Sequence, residues 1–466
     1  MPKEPVTDTI VALATAPGLG AIAIIRLSGG QSLEIIQTLT QGHHGKIPAR
    51  SPTILPIEEP KTGKLLDHAM VTTFPAPKSY TGEDLVEISS HGGWLVPALV
   101  IEACQAVGAR IAEPGEFTRR AVLHGKMDLV QAEAVIDLIE GRSRATHDSA
   151  LFQLEKGLSR RISDLRAQII TIEAFLVHHI DFPEEDEAPI PVGIIAEKGK
   201  TLLNDLDELL RTAPEGELLR EGALTVLAGL PNSGKSSLFN ALLGQDRAIV
   251  TKIPGTTRDA IEATVSVGGF PFRLVDTAGI HDTEDTVEQL GIDVTQRYLN
   301  HADLVLLCVE SGRDLLEDEL HFLDKLEGRP VIVLRTKTDL HTKKDKDKNF
   351  IHTEIAPRGA DEVLQISALE GTGIARLQET LPNLIYSRLV RTGGFVPALT
   401  RARHSDSVRV AKNHLAEFIQ ELERVVPVEL ASTHLRSATI ALEELLGVVA
   451  TDEILDQVFR DFCIGK

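Results

Sequence analysis

The residues best suited to chemistry lie in a short glycine-rich stretch, GLPNSGKS, which runs from Gly229 to Ser236. It fits the pattern G-x-x-x-x-G-K-[ST] and follows the apolar segment LTVLA, which is typical of a buried strand. Glycines let successive backbone N–H groups turn toward phosphate oxygens, and the helix that follows adds the positive end of its dipole. We expect Lys235 to meet the β and γ phosphates of a nucleotide and the Ser236 hydroxyl to bind Mg²⁺.

Four further motifs follow in the order found in Ras-like GTPases, which this chain resembles. The polar loop GTTRD carries a hydroxyl that could sense the γ-phosphate through Mg²⁺, and LVDTAG ends a strand in Asp276. TKTD supplies Asp339 for the guanine edge, and SAL supplies loop contacts. Ser236 and Thr257 are the predicted Mg²⁺ ligands. The predicted GTP-binding residues are Asn232, Ser233, Gly234, Lys235, Ser236, Ser237, Thr251, Lys252, Ile253, Pro254, Gly255, Thr256, Thr257, Asp276, Thr277, Ala278, Gly279, Lys337, Asp339, Ser367, Ala368 and Leu369.

Two positions depart from the Ras-like pattern. Thr336 stands where the guanine motif usually has Asn, although Asp339 can still accept hydrogen bonds from guanine N1 and N2, which adenine does not offer. We therefore expect guanine specificity with weaker affinity. Ile280 follows DTAG where Ras-type enzymes carry a Gln that orients water. Another group must do that work, or the protein is a nucleotide switch with little turnover.

The pattern of elements places these motifs in one domain of several. The first stretch alternates β-rich runs with Gly and Pro and has one helical segment near Pro97 to Val107, which predicts an α+β domain. Apolar residues at helical spacing follow from about Leu123. Buried-strand runs then alternate with helices, which predicts a doubly wound, mostly parallel sheet. We predict a multidomain α/β protein with a discontinuous helical bundle, in segments 1–122, 123–218, 219–381 and 382–466.

Composition limits the class of protein and its compartment. Apolar residues make up 42 % and charged residues 25 % of the chain, which is ordinary for globular domains, so each segment can bury a core. The net charge of -20 argues against indiscriminate coating of nucleic acid. Cys104, Cys308 and Cys463 are too widely spaced for a disulfide framework or a zinc ribbon. No secretion signal or membrane span is apparent, and we expect a cytoplasmic protein.

Histidine pairs give no metal signal. His43 with His44 and His178 with His179 lack convincing partner ligands in the sequence, so we expect no transition-metal site.

Motifs along the full length make the resemblance more specific. DTIVALATAPG, YTGEDLVEISSHGG, EPGEFTRRA, IDFPEED, PGTTRD, DTAGIHDTEDTVEQLGI and CIGK occur in the order of the MnmE (TrmE) family of tRNA modification GTPases. The resemblance implies a folate-binding N-terminal domain that forms a homodimer, and a GTPase domain inserted between two helical segments. It also implies an FAD-containing MnmG-type partner in a heterotetramer, with FAD on that partner only. The implied reaction forms a 5-(carboxymethyl)aminomethyl-type modification at C5 of the wobble uridine of certain tRNAs.

The same resemblance implies roles for particular residues. A K⁺ ion beside the phosphates would be bound by Asn232 and by backbone oxygens of Thr251, Ile253 and Thr256. Glu288 matches a residue that positions water, although without the family context a solvated helix carboxylate is the simpler interpretation. A 5-formyl or methylene tetrahydrofolate is expected at the residues Arg26, Glu87, Lys126 and Lys466.

The CIGK segment has three interpretations. A prenylation box requires two aliphatic residues after Cys463, and Gly465 and Lys466 do not fit that pattern. The segment could instead be the frayed end of a helix whose Phe459 and Phe462 pack on the bundle. The resemblance favours a tail that reaches the folate site, with the Cys463 thiol taking part in modification.

Two other functions stay open. One is a regulatory GTPase switch that binds a ribosome or an assembly factor and modifies nothing. The other is a folate-dependent one-carbon transferase in which the GTPase domain only gates access.

Overall fold

The computed structural model describes residues 8–42, 47–181, 191–245, 261–276, 298–326, 328–340, 357–392, 399–424, 427–449, 451–460 and 462–465. Contacts divide the chain into two compact units. Unit 1 is Met1–Ile136 with Leu442–Lys466, and unit 2 is Asp137–Ala441.

The strands in chain order are β1 (Ile10–Leu13), β2 (Ile22–Ser28), β3 (Thr53–Glu58), β4 (Leu65–Phe74), β5 (Leu85–His91), β6 (Arg110–Ile111), β7 (Ala223–Ala228), β8 (Ile261–Val267), β9 (Phe270–Asp276), β10 (Leu304–Glu310), β11 (Val331–Thr336) and β12 (Glu362–Gln365). The helices are α1 (Ser32–Leu39), α2 (Leu95–Ala106), α3 (Glu116–Leu123), α4 (Leu129–Glu140), α5 (Arg144–Leu154), α6 (Gly157–Asp181), α7 (Val192–Leu210), α8 (Ala213–Glu221), α9 (Lys235–Gln245), α10 (Glu317–Lys325), α11 (Ile374–Ile385), α12 (Ser387–Thr392), α13 (Ala402–Glu423), α14 (Val428–Leu446) and α15 (Asp452–Phe459).

Unit 1 is built on a six-stranded sheet in the order β3-β4-β5-β2-β1-β6. All neighbours are antiparallel except β1 and β6, which pair in parallel. Alternate residues of β2 face opposite sides, so Ile25 and Leu27 enter the main core while Arg26 points to the other side. Helices α1 and α2 contact the sheet around that core. The α+β prediction is confirmed, but β3 and α1 were not predicted individually.

Unit 2 contains the second sheet, in the order β12-β11-β10-β7-β9-β8. Its strands pair in parallel except β8, which pairs with β9 in the antiparallel sense. Strands β7, β10 and β11 are apolar on both faces because each face packs on a separate core. Leu306 and Cys308 belong to one core, and Leu307 and Val309 to the other. The predicted doubly wound, mostly parallel sheet is confirmed.

The long helices of unit 2 include α6, α7 and α13. Helices α7 and α13 pack so closely at Gly199 that an added Cβ there would lie 3.1 Å from a carbon of Ile419. The helices predicted after Leu123 are confirmed by α4 to α7. The predicted segment boundaries stay a prediction. In the described part of the chain, no helix has both the length and the apolar character that a membrane crossing requires.

Candidate functional site

The phosphate loop connects the end of β7 to the start of α9 in unit 2. Gly229 has a φ of +137°, and a Cβ there would lie 2.3 Å from the carbonyl oxygen of Cys308 on β10. Asn232 and Gly234 also have positive φ values, of 61° and 93°. The loop therefore turns sharply against the sheet at positions that favour residues without a bulky Cβ. Its position at the carboxyl end of a parallel strand is the usual place for a nucleotide.

Lys235 is folded onto this loop. Its Nζ donates to the carbonyl oxygens of Gly229 and Leu230, each at 2.9 Å. The side chain is only 6 % exposed, and burial lowers the pKa of its ammonium group. A phosphate oxygen beside the loop would offer this buried cation a charged acceptor in exchange for neutral carbonyls.

Ser236 and Asp276 meet beside the loop. The Ser236 hydroxyl donates to Oδ2 of Asp276 at 2.8 Å, although the residues come from α9 and from the end of β9. A hydroxyl and a carboxylate are hard oxygen ligands of the kind that Mg²⁺ takes. Ser236, one of the two predicted Mg²⁺ ligands, is thus placed beside a carboxylate that suits the same ion, while the other predicted ligand, Thr257, lies outside the described residues.

The predicted base-recognition residues also come together. Asp339 lies in a short 3₁₀ turn, Thr338–Leu340, after β11, and its Oδ1 accepts from the Ser367 hydroxyl at 2.6 Å. Ser367 in turn accepts from the backbone N–H of Glu370 at 3.1 Å. These two hydrogen bonds hold the Asp339 carboxylate in place at a pocket beside the phosphate loop. The pocket is lined by Gly234, Ser237, Leu238, Thr336, Lys337, Asp339, Ile366, Ala368 and Leu369.

The Thr336 hydroxyl connects two loops of this site. Its hydroxyl lies 2.6 Å from the carbonyl oxygen of Ser233 and 3.2 Å from that of Val309, and the residue is 4 % exposed. The side chain thus ties the base-recognition loop to the phosphate loop. An Asn is not needed for that connection, since one hydroxyl supplies it.

Two residues support the site: Ser233, which was predicted, and Tyr386, which was missed in the sequence. The Ser233 hydroxyl is buried and, among the described residues, has no hydrogen-bond partner. Tyr386 places its hydroxyl within 3.2 Å of the Ala223 N–H and 2.7 Å of the Pro271 carbonyl, at the starts of β7 and β9. The first belongs to the G-x-x-x-x-G-K motif itself, whereas no local pattern marks Tyr386.

Part of the predicted nucleotide site lies outside the described residues. These positions are Thr251, Lys252, Ile253, Pro254, Gly255, Thr256, Thr257, Thr277, Ala278, Gly279, Ile280 and Glu288.

Unit 1 brings two of the predicted folate residues together. Arg26 and Glu87 are opposite each other on β2 and β5, and both Nε and Nη2 of Arg26 donate to Oε1 of Glu87, at 3.1 and 2.7 Å. The guanidinium also lies over the rings of Tyr80 and Phe117, at 5.5 and 5.8 Å from their centroids. This half-buried pair offers a cation, a carboxylate and two aromatic faces at one place.

Lys126 has a separate set of contacts. Its Nζ donates to the carbonyl oxygen of Pro77 at 3.0 Å, and its chain lies near Gly82. No described hydrogen bond joins it to Arg26 or Glu87. Lys466 lies outside the described residues.

A buried ionic network supports this part of unit 1. Arg120 is 2 % exposed, and its guanidinium contacts the carboxylates of Asp8, Glu83 and Glu116 at 2.8, 3.2 and 2.8 Å. Burial alone would raise the pKa of Glu116, but hydrogen bonds from Arg110, the Glu113 N–H and Arg120 lower it overall. The Glu116 carboxylate is therefore ionised at neutral pH.

The CIGK segment packs on unit 1 beyond the end of α15. Phe462 is buried against Phe459, with ring centroids 4.9 Å apart. The N–H of Gly115 donates to the carbonyl oxygen of Cys463 at 3.2 Å, and Ile464 forms an antiparallel bridge with Pro114. The segment is thus an ordered strand-like addition and is not a continuation of the helix.

Gly465 brings the segment to the end of β1. It has a φ of +97°, and a Cβ there would lie 2.2 Å from the carbonyl oxygen of Leu13. The next residue back along β1, Ala12, is opposite Arg26 on β2. The tail therefore reaches the strand beside the Arg26 and Glu87 pair, while the side chain of Cys463 is exposed.

A phosphate loop after a buried parallel strand, a Ser–Asp pair beside it and a fixed Asp in the adjoining pocket define a P-loop nucleotide-binding protein of the Ras-like GTPase class. Two family models divide nearly the whole chain between them. Residues 9–126 match the GTP-binding protein TrmE N-terminus, and residues 129–463 match the MnmE helical domain. The chain belongs to the MnmE family of tRNA modification GTPases.

Relatives and one solved structure extend the comparison. The tRNA modification GTPase MnmE of Alkaliphilus oremlandii is 36 % identical over 99 % of this chain and 100 % of its own. That of Geobacillus kaustophilus is 40 % identical over 98 % of this chain and 99 % of its own. The G domain of the T. maritima FeoB iron transporter is 31 % identical over 33 % of this chain and 93 % of its own, with a TM-score of 0.25.

Proposed function

We propose that this GTPase uses GTP turnover to drive modification of tRNA, by forming a 5-(carboxymethyl)aminomethyl-type group at C5 of the wobble uridine. The observation that carries the proposal is the phosphate loop, where Lys235 is hydrogen-bonded to loop carbonyls and Ser236 to Asp276, beside the pocket of Asp339. Mass analysis of wobble uridines in tRNA from a deletion strain tests the substrate. Fully modified uridines in that strain would contradict it.

Residues of the chain act on GTP in separate ways. The loop N–H groups and Lys235 bind the phosphates, and the carboxylate of Asp339 accepts from guanine. Ser236 and Thr257 are the proposed Mg²⁺ ligands, and Mg²⁺ offsets negative charge on the phosphates when bound. Glu288 is the proposed residue that positions water, since the side chain of Ile280 cannot form hydrogen bonds. A Glu288→Ala variant should bind GTP and lose most turnover, and unchanged turnover would remove that role.

A K⁺ ion is proposed beside the phosphates, with Asn232, Thr251, Ile253 and Thr256 as its ligands. The positive φ of Asn232 places this residue at the sharp turn of the loop, where a cation would offset charge that develops in a loose transition state. Phosphate release measured in K⁺ and in Na⁺ at equal ionic strength tests the assignment. Equal rates of phosphate release in the two salts would contradict the K⁺ assignment.

The folate proposal rests on Arg26 and Glu87 and on the tail beside them. A guanidinium suits the glutamate carboxylates of a tetrahydrofolate, and a carboxylate suits an amino-pyrimidine edge. Lys126 and Lys466 are proposed as further contacts. Titration with 5-formyltetrahydrofolate is the test, with an Arg26→Ala variant expected to bind more weakly. No binding by the wild type would favour the regulatory switch, which needs no folate.

Cys463 is proposed to act in the modification chemistry because its thiol is exposed on a segment fixed on both sides. A Cys463→Ser variant should retain GTP hydrolysis and lose tRNA modification. Retained modification would reduce the segment to an anchor. We also propose a cytoplasmic homodimer that assembles with an FAD-containing MnmG-type partner, with domain segments 1–122, 123–218, 219–381 and 382–466.

A further inference from the structure

Four side chains of unit 2 form a cluster that the GTPase function does not use. His414, Glu417 and Glu421 lie on α13, and His434 lies on the next helix, α14. Glu417 and Glu421 follow His414 at helical spacing, so all three face α14. The cluster is half-buried and connects two consecutive helices.

Three atoms of this cluster converge. The Nδ1 atoms of His414 and His434 are 3.4 Å apart, and they lie 3.3 and 3.0 Å from Oε2 of Glu417. A carboxylate oxygen has only lone pairs, and a neutral imidazole nitrogen facing it must carry either a proton or a lone pair. Three such atoms at this spacing repel one another unless a proton or a metal ion lies among them.

The spacing suits a metal. In a tetrahedral site with Zn–N and Zn–O distances of about 2.0–2.1 Å, ligand atoms are about 3.3 Å apart. The three observed separations are close to that value, so a point about 2.0–2.1 Å from all three atoms exists above their plane. Two imidazoles and one carboxylate are also the nitrogen and oxygen ligands that zinc accepts, with the fourth position left to water.

A fourth residue completes the arrangement. Nε2 of His434 lies 3.4 Å from Oε1 of Glu421. A proton on Nε2 leaves Nδ1 as the lone-pair nitrogen, and a carboxylate behind a histidine is the usual partner of a metal-bound imidazole. Oε2 of Glu421 is buried and has no hydrogen-bond partner in the described part of the chain.

We propose that His414, Glu417 and His434 bind a divalent transition metal of the Zn²⁺ class, with Glu421 orienting His434. The ion would join α13 to α14. Hard cations such as Mg²⁺ and Ca²⁺ are not the expected occupants because they favour sites made of oxygen ligands.

Full-length protein stripped with a chelator and returned to Mg²⁺ and GDP is the material for the test. The Mg²⁺ and GDP keep the nucleotide site occupied. Equilibrium dialysis against ZnCl₂, followed by elemental analysis, should give about one more zinc per chain for the wild type than for His434→Ala, as one set of ligands requires. His147→Ala is the matched control, because among the described residues His147 pairs with a single carboxylate, that of Asp148. Its zinc content should equal that of the wild type.

Two further measurements separate a metal site from a protonated ion pair. Co²⁺ in place of Zn²⁺ should give visible absorption typical of tetrahedral coordination, and His434→Ala should lose it. Glu421→Gln should bind Zn²⁺ about 10- to 100-fold more weakly. Retained GTP turnover shows that each variant is folded. Equal zinc content in wild type and His434→Ala would overturn the proposal and leave an imidazolium–carboxylate pair.

Discussion

The phosphate loop of unit 2 and the charged groups of unit 1 around Arg26 and Arg120 are built in opposite ways. Lys235 meets carbonyls only six and five residues away, and the strand before the loop and the helix after it are continuous with it. Arg26 meets Glu87 across 61 residues, and Arg120 meets Asp8 across 112. The first site depends on local backbone geometry, and the second depends on the fold being intact. Changes in unit 1 should therefore act on stability, and changes at the loop on turnover.

Removal of Arg120 is the strongest challenge to unit 1. Arg120→Met should lower the free energy of unfolding of unit 1 by about 3–5 kcal/mol, because it leaves buried carboxylates without their cation. Arg119→Met is the matched control, since Arg119 pairs with the exposed Asp456 and such pairs contribute about 0–1 kcal/mol. A urea titration, monitored by hydrogen exchange of peptides from unit 1, measures the free energy of unfolding of both variants. Similar losses for the two variants would contradict the distinction.

Removal of Lys235 tests the opposite behaviour. Lys235→Ala should lower the rate of phosphate release by about 10²- to 10³-fold, as expected when one charged stabilising group is lost, with little effect on unit 1. The exposed Lys325 on α10 provides a control variant, Lys325→Ala, that should turn over normally. A decrease of less than about tenfold in Lys235→Ala would remove the lysine from the catalytic centre.

A change at Gly465 should loosen the tail alone. Gly465→Ala places a Cβ against the Leu13 carbonyl, which we expect to cost about 1–3 kcal/mol through the clash and the positive φ. The Gly115 N–H, which donates to Cys463, should then exchange faster with solvent. Gly93→Ala is the control, because Gly93 has a similar φ of +95° with nothing within 4 Å. Equal exchange at Gly115 in both variants would show that Gly465 does not hold the tail.

The smallest effect is expected at Thr336. Thr336→Val removes the hydroxyl between the two loops, and the loss should weaken GTP binding by about 1 kcal/mol, or roughly fivefold. Thr225→Val also removes a buried hydroxyl, but one that bonds to Ala223 within its own strand. Calorimetric titration with GTP should distinguish the two variants, because only Thr336→Val should change the affinity for GTP. Equal affinities in the two variants would mean that the hydrogen bond of the Thr336 hydroxyl does not contribute to GTP binding.

How much the sequence predicts depends on the same difference between local and distant contacts. The loop, its strand and its helix were predicted in place because the G-x-x-x-x-G-K pattern is contiguous. The ionic network of Arg120, the role of Tyr386 and the His414 cluster were not predicted, since their partners meet only after the chain folds. His414 and Glu417 are one helical turn apart, a signal that sequence inspection can detect, but nothing local indicates His434.

The fixed position of the Cys463 backbone has a kinetic consequence. Its carbonyl accepts a hydrogen bond from Gly115. Gly465, two residues further along, lies against Leu13. The thiol can therefore reach only a small volume around this fixed backbone position beside Gly115. In the proposed role of Cys463, a thiol confined in this way would act at a high effective concentration toward a molecule bound in that volume and at a low one toward everything else. Selectivity for one acceptor could then come from confinement of the thiol, without any need to change its intrinsic reactivity.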